Sequence, residues 1–436
     1  MSDIQRVKKL YQLFLESKGV STDTRSVRPG QIYFALKGDN FDGNEFAEQA
    51  LEKGAAFAVV SDRSLRGPKF IHVEDTLDTL QALALEHRMS LSIPVIGITG
   101  SNGKTTTKEL IAVVLDRKYR ISYTQGNLNN HIGVPLSLLS IPLDCEIAII
   151  EMGANHIGEI AGLCKLARPT CGLITNIGLA HIEGFGSLEG IKQGKSELYK
   201  WFAEHGGLAF VNLDELYLKE LSSNVASRLY YGSGRHMSVA IRFNVLSDRN
   251  EIEIKGDSPL TKDIDIRSEL FGRYNARNIM TAVAIGLHFD VEPEHINYAI
   301  AAYAPDNNRS QLIKRNGKLI ILDAYNANPT SMQLAIESLV SRGGVKATIL
   351  GGMNELGKTA LDEHQKLIDT VKAKAIDTAI YVGKHYDQCS LPSSAMSFTD
   401  VDELNAYLAR QELLADTILI KGSRSLRLES AVSHIH

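Results

Sequence analysis

The stretch that most narrows what this chain can become is "GITGSNGKTTTKEL", Gly97 to Leu110. The apolar run "IPVI" precedes it and reads as a short buried strand; "LIAVVL" follows and reads as the buried side of a helix. A strand, a glycine-rich turn and a helix N-terminus in that order aim backbone N–H groups at one point and make a cradle for phosphate. Gly103 lets the backbone approach phosphate oxygens, Lys104 reaches the outer phosphates, and the Thr105 hydroxyl suits Mg²⁺. The match to G-x-x-x-x-G-K-[ST] is incomplete: Ile98 stands where the first glycine belongs, and the nearest glycine is Gly100. The candidate nucleotide loop is therefore Gly100, Ser101, Asn102, Gly103, Lys104, Thr105 and Thr106. A turn that binds nothing is the plainer alternative. A loop of this kind serves kinases, ATPases, GTPases and ligases alike, so it does not name a reaction.

The apolar runs around it set the fold class. "PVIGIT", "EIAIIEMG", "CGLITNIG" and "GLAFVNLD" are near-continuous and alternate with helical segments, which predicts a parallel sheet covered on both faces. A β-rich excursion follows at about 228–268, then the helix "NARNIMTAVAIGLHF". Before the phosphate loop, "QIYFALKG" and "AAFAVVSD" read as strands and "NEFAEQALEKG" as a helix ending at Gly54. After it, "KLIILDAY", "KATILGGM", "DTAIYVGK" and "DTILIKGS" read as four parallel strands. "MSLSIP" at 89–94 and "AYAPDNNRS" at 302–310 are linker candidates. The expectation is an α/β chain of three domains: 1–90, a small N-terminal substrate domain; 91–308, a central phosphate-loop ATPase domain with a parallel sheet; and 309–436, a Rossmann-like domain. The 436 residues suffice for that number.

Composition excludes several classes. A net charge of −4 argues against nucleic-acid binding. No run reaches the roughly 18 apolar residues of a membrane span, and the charged start "MSDIQRVKKLYQLFLESKGV" reads as an amphipathic helix rather than a secretory leader. Cys145, Cys164, Cys171 and Cys389 form no metal or redox spacing and suit a reducing cytoplasm.

Other candidates lie beyond strand ends, where open α/β sheets bind ligands. Glu151 ends "EIAIIE" and is placed for Mg²⁺, although many strand-end acids only cap turns. Asn176 ends the next strand; its loop carries His181 and the following helix carries Lys195. Taken singly, these two read as an ordinary loop histidine and a solvated helix lysine. Asn275 and Asn278 share a helix face and are suited either to the edge of adenine or to helix capping. Near the N-terminus, "STDTRSVRPGQIYFALKG" gathers Ser21, Thr22, Asp23, Thr24, Arg25 and Lys37 around turns as a second anion site.

Together these stretches resemble the Mur ligase family over essentially the whole chain, with "GNLNNHIGVPLSLL", "EMGANHIGEI", "TNIGLAHIEGFGSLEGI" and "NARNIMTA" in family order. "DAYNANPTSM", "GGMNELG" and "KGSRS" resemble the branch that adds D-alanyl-D-alanine. Gly352 stands where the family usually has an acid, and only Asp323 precedes the "YNANP" tyrosine where two acids are often found. The resemblance implies an ATP-dependent, ADP-forming ligase that acts through an acyl phosphate, with UDP-N-acetylmuramoyl-tripeptide and D-alanyl-D-alanine as substrates and Mg²⁺ as cofactor. It implies catalytic roles for Lys104, Glu151, His181 and a carbamylated Lys195, with metal on Thr105, Glu151, His181 and Lys195. Asn275, Asn278, Arg309 and Asp323 would hold ATP with the loop; Ser21, Thr22, Asp23, Thr24 and Lys37 would hold the UDP-sugar. Asn127, Asn130, Tyr325, Asn326 and Asn328 would meet the peptide. A cytoplasmic monomer is expected. The rivals are the third-residue-adding sibling, a folylpolyglutamate synthase and, in another class, a nucleotide-binding regulatory protein.

Overall fold

The structure is a computed structural model that describes residues 3–234, 236, 238–248 and 251–436. Three sheets organise them. In the first unit, Val20–Ser21, Ile32–Phe34, Phe57–Val60 and Phe70–His72 form a parallel sheet in chain order. Lys37–Gly38 turns back on Phe41–Asp42 as a separate hairpin, which shortens the strand expected over "QIYFALKG". The charged N-terminal segment is the helix Asp3–Glu16, and it buries Leu10, Tyr11 and Phe14.

The first joint is tighter than expected. Met89 and Ser90 are not linker: they close the helix Thr76–Ser90, whose start is capped by Asp75 accepting the Asp78 N–H. This helix buries Leu80, Leu83 and Ala84 in one apolar cluster that runs from Leu10 to Val225 and so spans both units. Its last turn is bonded across the joint as well. His87 Nε2 meets Ile141 O at 2.8 Å, and the buried Arg88 guanidinium donates to the carbonyls of Ala167, Leu91 and Arg168. Backbone carbonyls there satisfy a buried cation that would otherwise be costly.

The central sheet has nine strands. Val95–Thr99 lies in its interior between Ile147–Glu151 and Cys171–Ile174, all wholly buried and parallel. This is what continuous apolar runs produce when helices cover both faces. Parallel pairing continues out to Ile241–Asp248; the excursion then adds Ile252–Gly256 and Asp265–Ser268 antiparallel at the edge.

The third sheet runs Gln311–Arg315, Lys318–Asp323, Thr417–Lys421, Lys346–Gly351, Thr378–Val382, Met396–Phe398. The four inner strands are those the apolar runs predict. The two edge strands were not expected, because "QLIKR" and "MSF" are short and not fully buried, as edges commonly are. Lys318–Asp323 pairs with Thr417–Lys421, not with the next strand in sequence, which gives the crossover of a doubly wound sheet.

Gly352 follows the Lys346–Gly351 strand and has a packing reason to lack a side chain. A Cβ there would lie 2.1 Å from Nδ1 of His385. That ring stacks on buried His364, with centroids 5.2 Å apart. His364 is fixed by the Met353 N–H at its Nε2, 2.9 Å, and by Ala360 O at its Nδ1, 2.6 Å. Gly352→Ala is expected to cost about 1–3 kcal/mol of stability from overpacking. Adding His385→Ala should recover much of that loss; urea denaturation of the two single variants and the double variant measures the coupling.

Candidate active site

The carboxyl ends of the central strands and the facing edge of the third unit enclose a cavity of about 1160 Å³. The phosphate loop forms its floor. Gly100 has φ 143, and a Cβ there would fall 2.0 Å from Thr175 Oγ1, so no other residue fits. The loop is braced by the end of the neighbouring strand. The Asn102 N–H donates to Asn176 Oδ1 at 3.0 Å, and Asn176 Nδ2 returns a bond to Asn102 O at 2.9 Å. Ser101 Oγ both donates to Gly178 O and accepts the Gly178 N–H, each at 2.9 Å. Thr105 and Thr106 are buried at the start of the helix Lys104–Leu115. Lys104 folds back onto the carbonyls of Gly100, 2.8 Å, and Ser101, 3.3 Å. Burial pulls its pKa down, and the Glu151 carboxylate opposes that pull.

Glu151 is fully buried. Its N–H donates to Thr124 Oγ1 at 3.0 Å, and Oε1 accepts Asn129 Nδ2 at 2.8 Å. Thr124 is held in turn by buried Lys108, which donates to its carbonyl at 2.7 Å. Oε2 of Glu151 has no hydrogen-bond partner among the described residues. A buried carboxylate oxygen left open this way, with a hydroxyl residue on the adjoining loop, fits a hard cation that takes few protein ligands and keeps its waters and phosphates. Among the described residues no three His, Cys, Asp or Glu side chains gather into a metal-binding group. A Mg²⁺ site here would rest on Glu151 and Thr105 together with ligand oxygens.

His181 lines the same cavity with φ 53, and the Glu355 carboxylate of the third unit lies against its Nδ1. Lys195 is not the solvated lysine its sequence suggests. It is completely buried in the helix Leu188–His205, donates to Ala154 O at 2.9 Å, and lies 5.0 Å over the Phe185 ring. Phe185 ends the helical turn that follows His181, so the amine stands against the His181 loop. Burial first, and the charge of Lys104 second, hold its pKa far below the ordinary lysine value.

Asn275 and Asn278 are bonded to each other, Nδ2 of Asn278 to Oδ1 of Asn275 at 2.7 Å. Asn278 Oδ1 also accepts Thr107 Oγ1, and the side chain stands against Gly103. Arg309 stacks over the Tyr325 ring at 3.7 Å. Asp323 accepts Lys421 Nζ at 2.6 Å and the Ser310 N–H at 3.2 Å; Lys421 also reaches Asn326 O at 3.2 Å. The third unit meets the phosphate loop directly through Asn328 Nδ2, which donates to Asn102 Oδ1 at 2.7 Å. Asn328 also caps its own helix, Pro329–Val340. Asn130 caps the start of the helix Gly133–Leu139 by accepting the Ile132 and Gly133 N–H groups. Asn127 lines the cavity beside it.

Two groups therefore emerge. The residues named from the central and third units converge on one cavity, with Lys195 buried just behind it. Ser21, Thr22, Asp23, Thr24 and Lys37 do not line that cavity. Asp23 is engaged by the exposed Arg25, and Lys37 pairs with Asp42 at 3.2 Å. Sequence reading passed over Asn129, Glu355 and Lys421, and it read Asn176 only as a strand end. Asn129 and Glu355 stand inside motifs already quoted, but nothing in their spacing says which atoms they meet.

Comparison with known proteins gives three family matches: "Mur ligase family, catalytic domain" over residues 16–88, "Mur ligase middle domain" over 98–286, and "Mur ligase, glutamate ligase domain" over 308–424. The chain is 38% identical over 435 residues to UDP-N-acetylmuramoyl-tripeptide–D-alanyl-D-alanine ligase of Bacillus subtilis, covering 96% of this chain and 93% of that one. Its fold matches crystal structure I of MurF from Acinetobacter baumannii with TM-score 0.86 at 28% identity, over 98% and 97% of the two chains. It matches MurF ligase from Thermotoga maritima in complex with ADP with TM-score 0.82 at 26% identity, over 100% and 98%.

Lys195 separates packing from charge. Lys195→Met keeps the buried chain length and removes the amine, so its stability is expected to stay within about 1 kcal/mol of the parent. Lys195→Ala leaves a hole and should cost about 2–5 kcal/mol. Urea denaturation of both variants checks the order.

Proposed function

The chain belongs to the Mur ligase family, and we propose from that premise, with the site above, that it joins D-alanyl-D-alanine to UDP-N-acetylmuramoyl-tripeptide at the expense of ATP. The products are the UDP-N-acetylmuramoyl-pentapeptide of peptidoglycan synthesis, ADP and phosphate. The observation that carries this reading is the end-to-end identity with the Bacillus subtilis ligase. The braced phosphate loop and the open oxygen of Glu151 agree with it.

The chemistry asks for cations more than for a protein nucleophile. A peptide carboxylate is a poor electrophile, and a phosphoryl group from ATP turns it into an acyl phosphate with a good leaving group. The dipeptide amine then attacks the acyl carbon, and the tetrahedral intermediate collapses to amide and phosphate. Transfer between two anions needs positive charge fixed in place beforehand. Lys104 supplies it at the outer phosphates, and the loop N–H groups hold the inner ones. Thr105 and Glu151 would hold one Mg²⁺; His181 and a carbamylated Lys195 would hold a second. Bound there, Mg²⁺ neutralises charge on the transferring phosphoryl group and its acceptor. The Lys195 amine is suited to carbamylation because burial first and Lys104 second favour its neutral form, and only a neutral amine adds CO₂.

Asn275, Asn278, Arg309 and Asp323 are assigned to ATP; Asn127, Asn130, Tyr325, Asn326 and Asn328 to the peptide ends that meet in the cavity. Ser21, Thr22, Asp23, Thr24 and Lys37 are assigned to the UDP-sugar, outside that cavity. Division at about 90 and 308 gives a substrate domain, an ATP domain and an amine-side domain. No helix among the described residues is long and apolar enough to cross a membrane, and we place the enzyme in the cytoplasm as a monomer.

ADP release from purified protein with UDP-muramoyl-tripeptide should require D-alanyl-D-alanine; single amino acids in its place, or no amine, should give little. Lys104→Ala should lower kcat by a factor of about 10²–10³ with an unaltered circular dichroism spectrum. Lys195→Ala should be inactive and partly restored by formate or acetate, which refill an oxygen site. Lys195→Arg should stay inactive because its charge cannot be removed. An active Lys195→Arg would reject the carbamate.

A further inference from the structure

The segment joining the central and third units, residues 302–310, contains no helix or strand. Its first part is nevertheless tied down. Glu109 lies on the phosphate-loop helix, a little more than one turn beyond Lys104. Its carboxylate accepts Tyr303 Oη at 2.6 Å, and both its oxygens accept Asn307 Nδ2 at 2.9 Å. Buried Lys108 approaches the same group at 3.9 Å. Immediately afterwards the backbone changes character. Asn308 and Ser310 hold φ of 58 and 51, on either side of Arg309. Ser310 is then shared: its N–H donates to Asp323 of the third sheet, and its hydroxyl bonds Tyr274 Oη of the central unit at 2.7 Å.

Residues 303–307 thus belong mechanically to the phosphate-loop helix, and the chain crosses to the third unit within three residues. We propose that Glu109 is a positioning residue that clamps the start of this hinge. The clamp confines rotation of the third unit to 308–310 and so fixes where Arg309 sits over Tyr325 beside ATP. The last clause rests on the reading of Arg309 as an ATP residue. The physical basis is entropic as well as polar. A carboxylate that accepts bonds from a phenol and an amide in a partly buried setting holds two side chains in one geometry. Without it the pivot lengthens from three residues to the whole segment, and more backbone freedom must be given up each time the site closes. A ligand that needs the closed state then binds more weakly in proportion to the closed fraction.

The test uses the full chain and two independent readouts. Small-angle scattering of the ligand-free protein should show a larger radius of gyration for Glu109→Ala than for the parent, while Lys104→Ala should match the parent. In steady-state assays Glu109→Ala should raise the KM for ATP about tenfold with little change in kcat. Glu109→Gln, whose amide oxygen still accepts, should stay within about threefold. Tyr303→Phe combined with Asn307→Ala should reproduce the Glu109→Ala effect, and adding it to Glu109→Ala should change nothing further. Unaltered scattering for Glu109→Ala, or a Gln variant as impaired as the Ala variant, would overturn the clamp. Altered scattering with an unaltered KM for ATP would keep the clamp and reject the assignment of Arg309.

Discussion

The interaction on which the rest of the molecule depends is that of three lysine amines, Lys104, Lys108 and Lys195, whose short hydrogen bonds go to backbone carbonyls. Among the described residues Lys104 and Lys195 donate to backbone carbonyls: Gly100 and Ser101 in one case, Ala154 in the other. Lys108 spends its short bond on Thr124 O, with Glu109 no nearer than 3.9 Å. Burial pushes each amine toward its neutral form, and the Glu151 carboxylate opposes that push at Lys104 and Lys108. The nearby carboxylate, Glu151, is also left with an open oxygen. A site with amines on one side and an open carboxylate oxygen on the other suits an anionic nucleotide. This is electrostatic preorganisation in structural form: the fold bears the cost of burying the groups in advance, and the ligand relieves it.

The architecture follows from holding those groups still. Glu151 ends the strand Ile147–Glu151, and Lys104 opens the helix that follows the adjacent strand Val95–Thr99; the side chains of both strands are wholly buried. Loop geometry therefore inherits the rigidity of the sheet, and Asn176, just past the end of the strand Cys171–Ile174, locks the loop from the other side. The first unit is fastened to this frame by one shared apolar cluster and by Arg88, so it is not free to swing on residues 91–94. The third unit shares a smaller apolar seam with the centre, where Phe271 and Ile182 pack into its core, and it meets the centre again through loops at the site.

What could be read from the sequence divides along the same physical line. Continuous apolar runs mark buried parallel strands because burial on both faces removes polar alternation, and those strands stand where the runs predict. Polar edge strands such as Gln311–Arg315 carry no such mark. The phosphate loop was legible because anion binding needs glycine, lysine and hydroxyl residues at fixed offsets. Lys195 could not be read as buried, since its neighbours on the helix, Gln193 and Gly194, are those of an ordinary surface turn. Its burial depends on packing against Phe185 and Ala154 from elsewhere in the chain. Asn129 was passed over for a similar reason: three asparagines crowd one loop, and only the fold shows that this one holds Glu151 while Asn130 caps a helix.

The third unit touches the central one where the chemistry is, and that has a thermodynamic consequence. Asn328 bonds Asn102 in the phosphate loop, Thr330 accepts the Leu179 N–H, and Glu355 lies against His181. Each contact falls on a residue that lines the cavity. A ligand bound in that cavity and the docked third unit act on the same loops, and whatever one does to the other must be returned in equal measure. If docking tightens ATP by orienting Asn102, bound ATP holds the third unit down by the same factor.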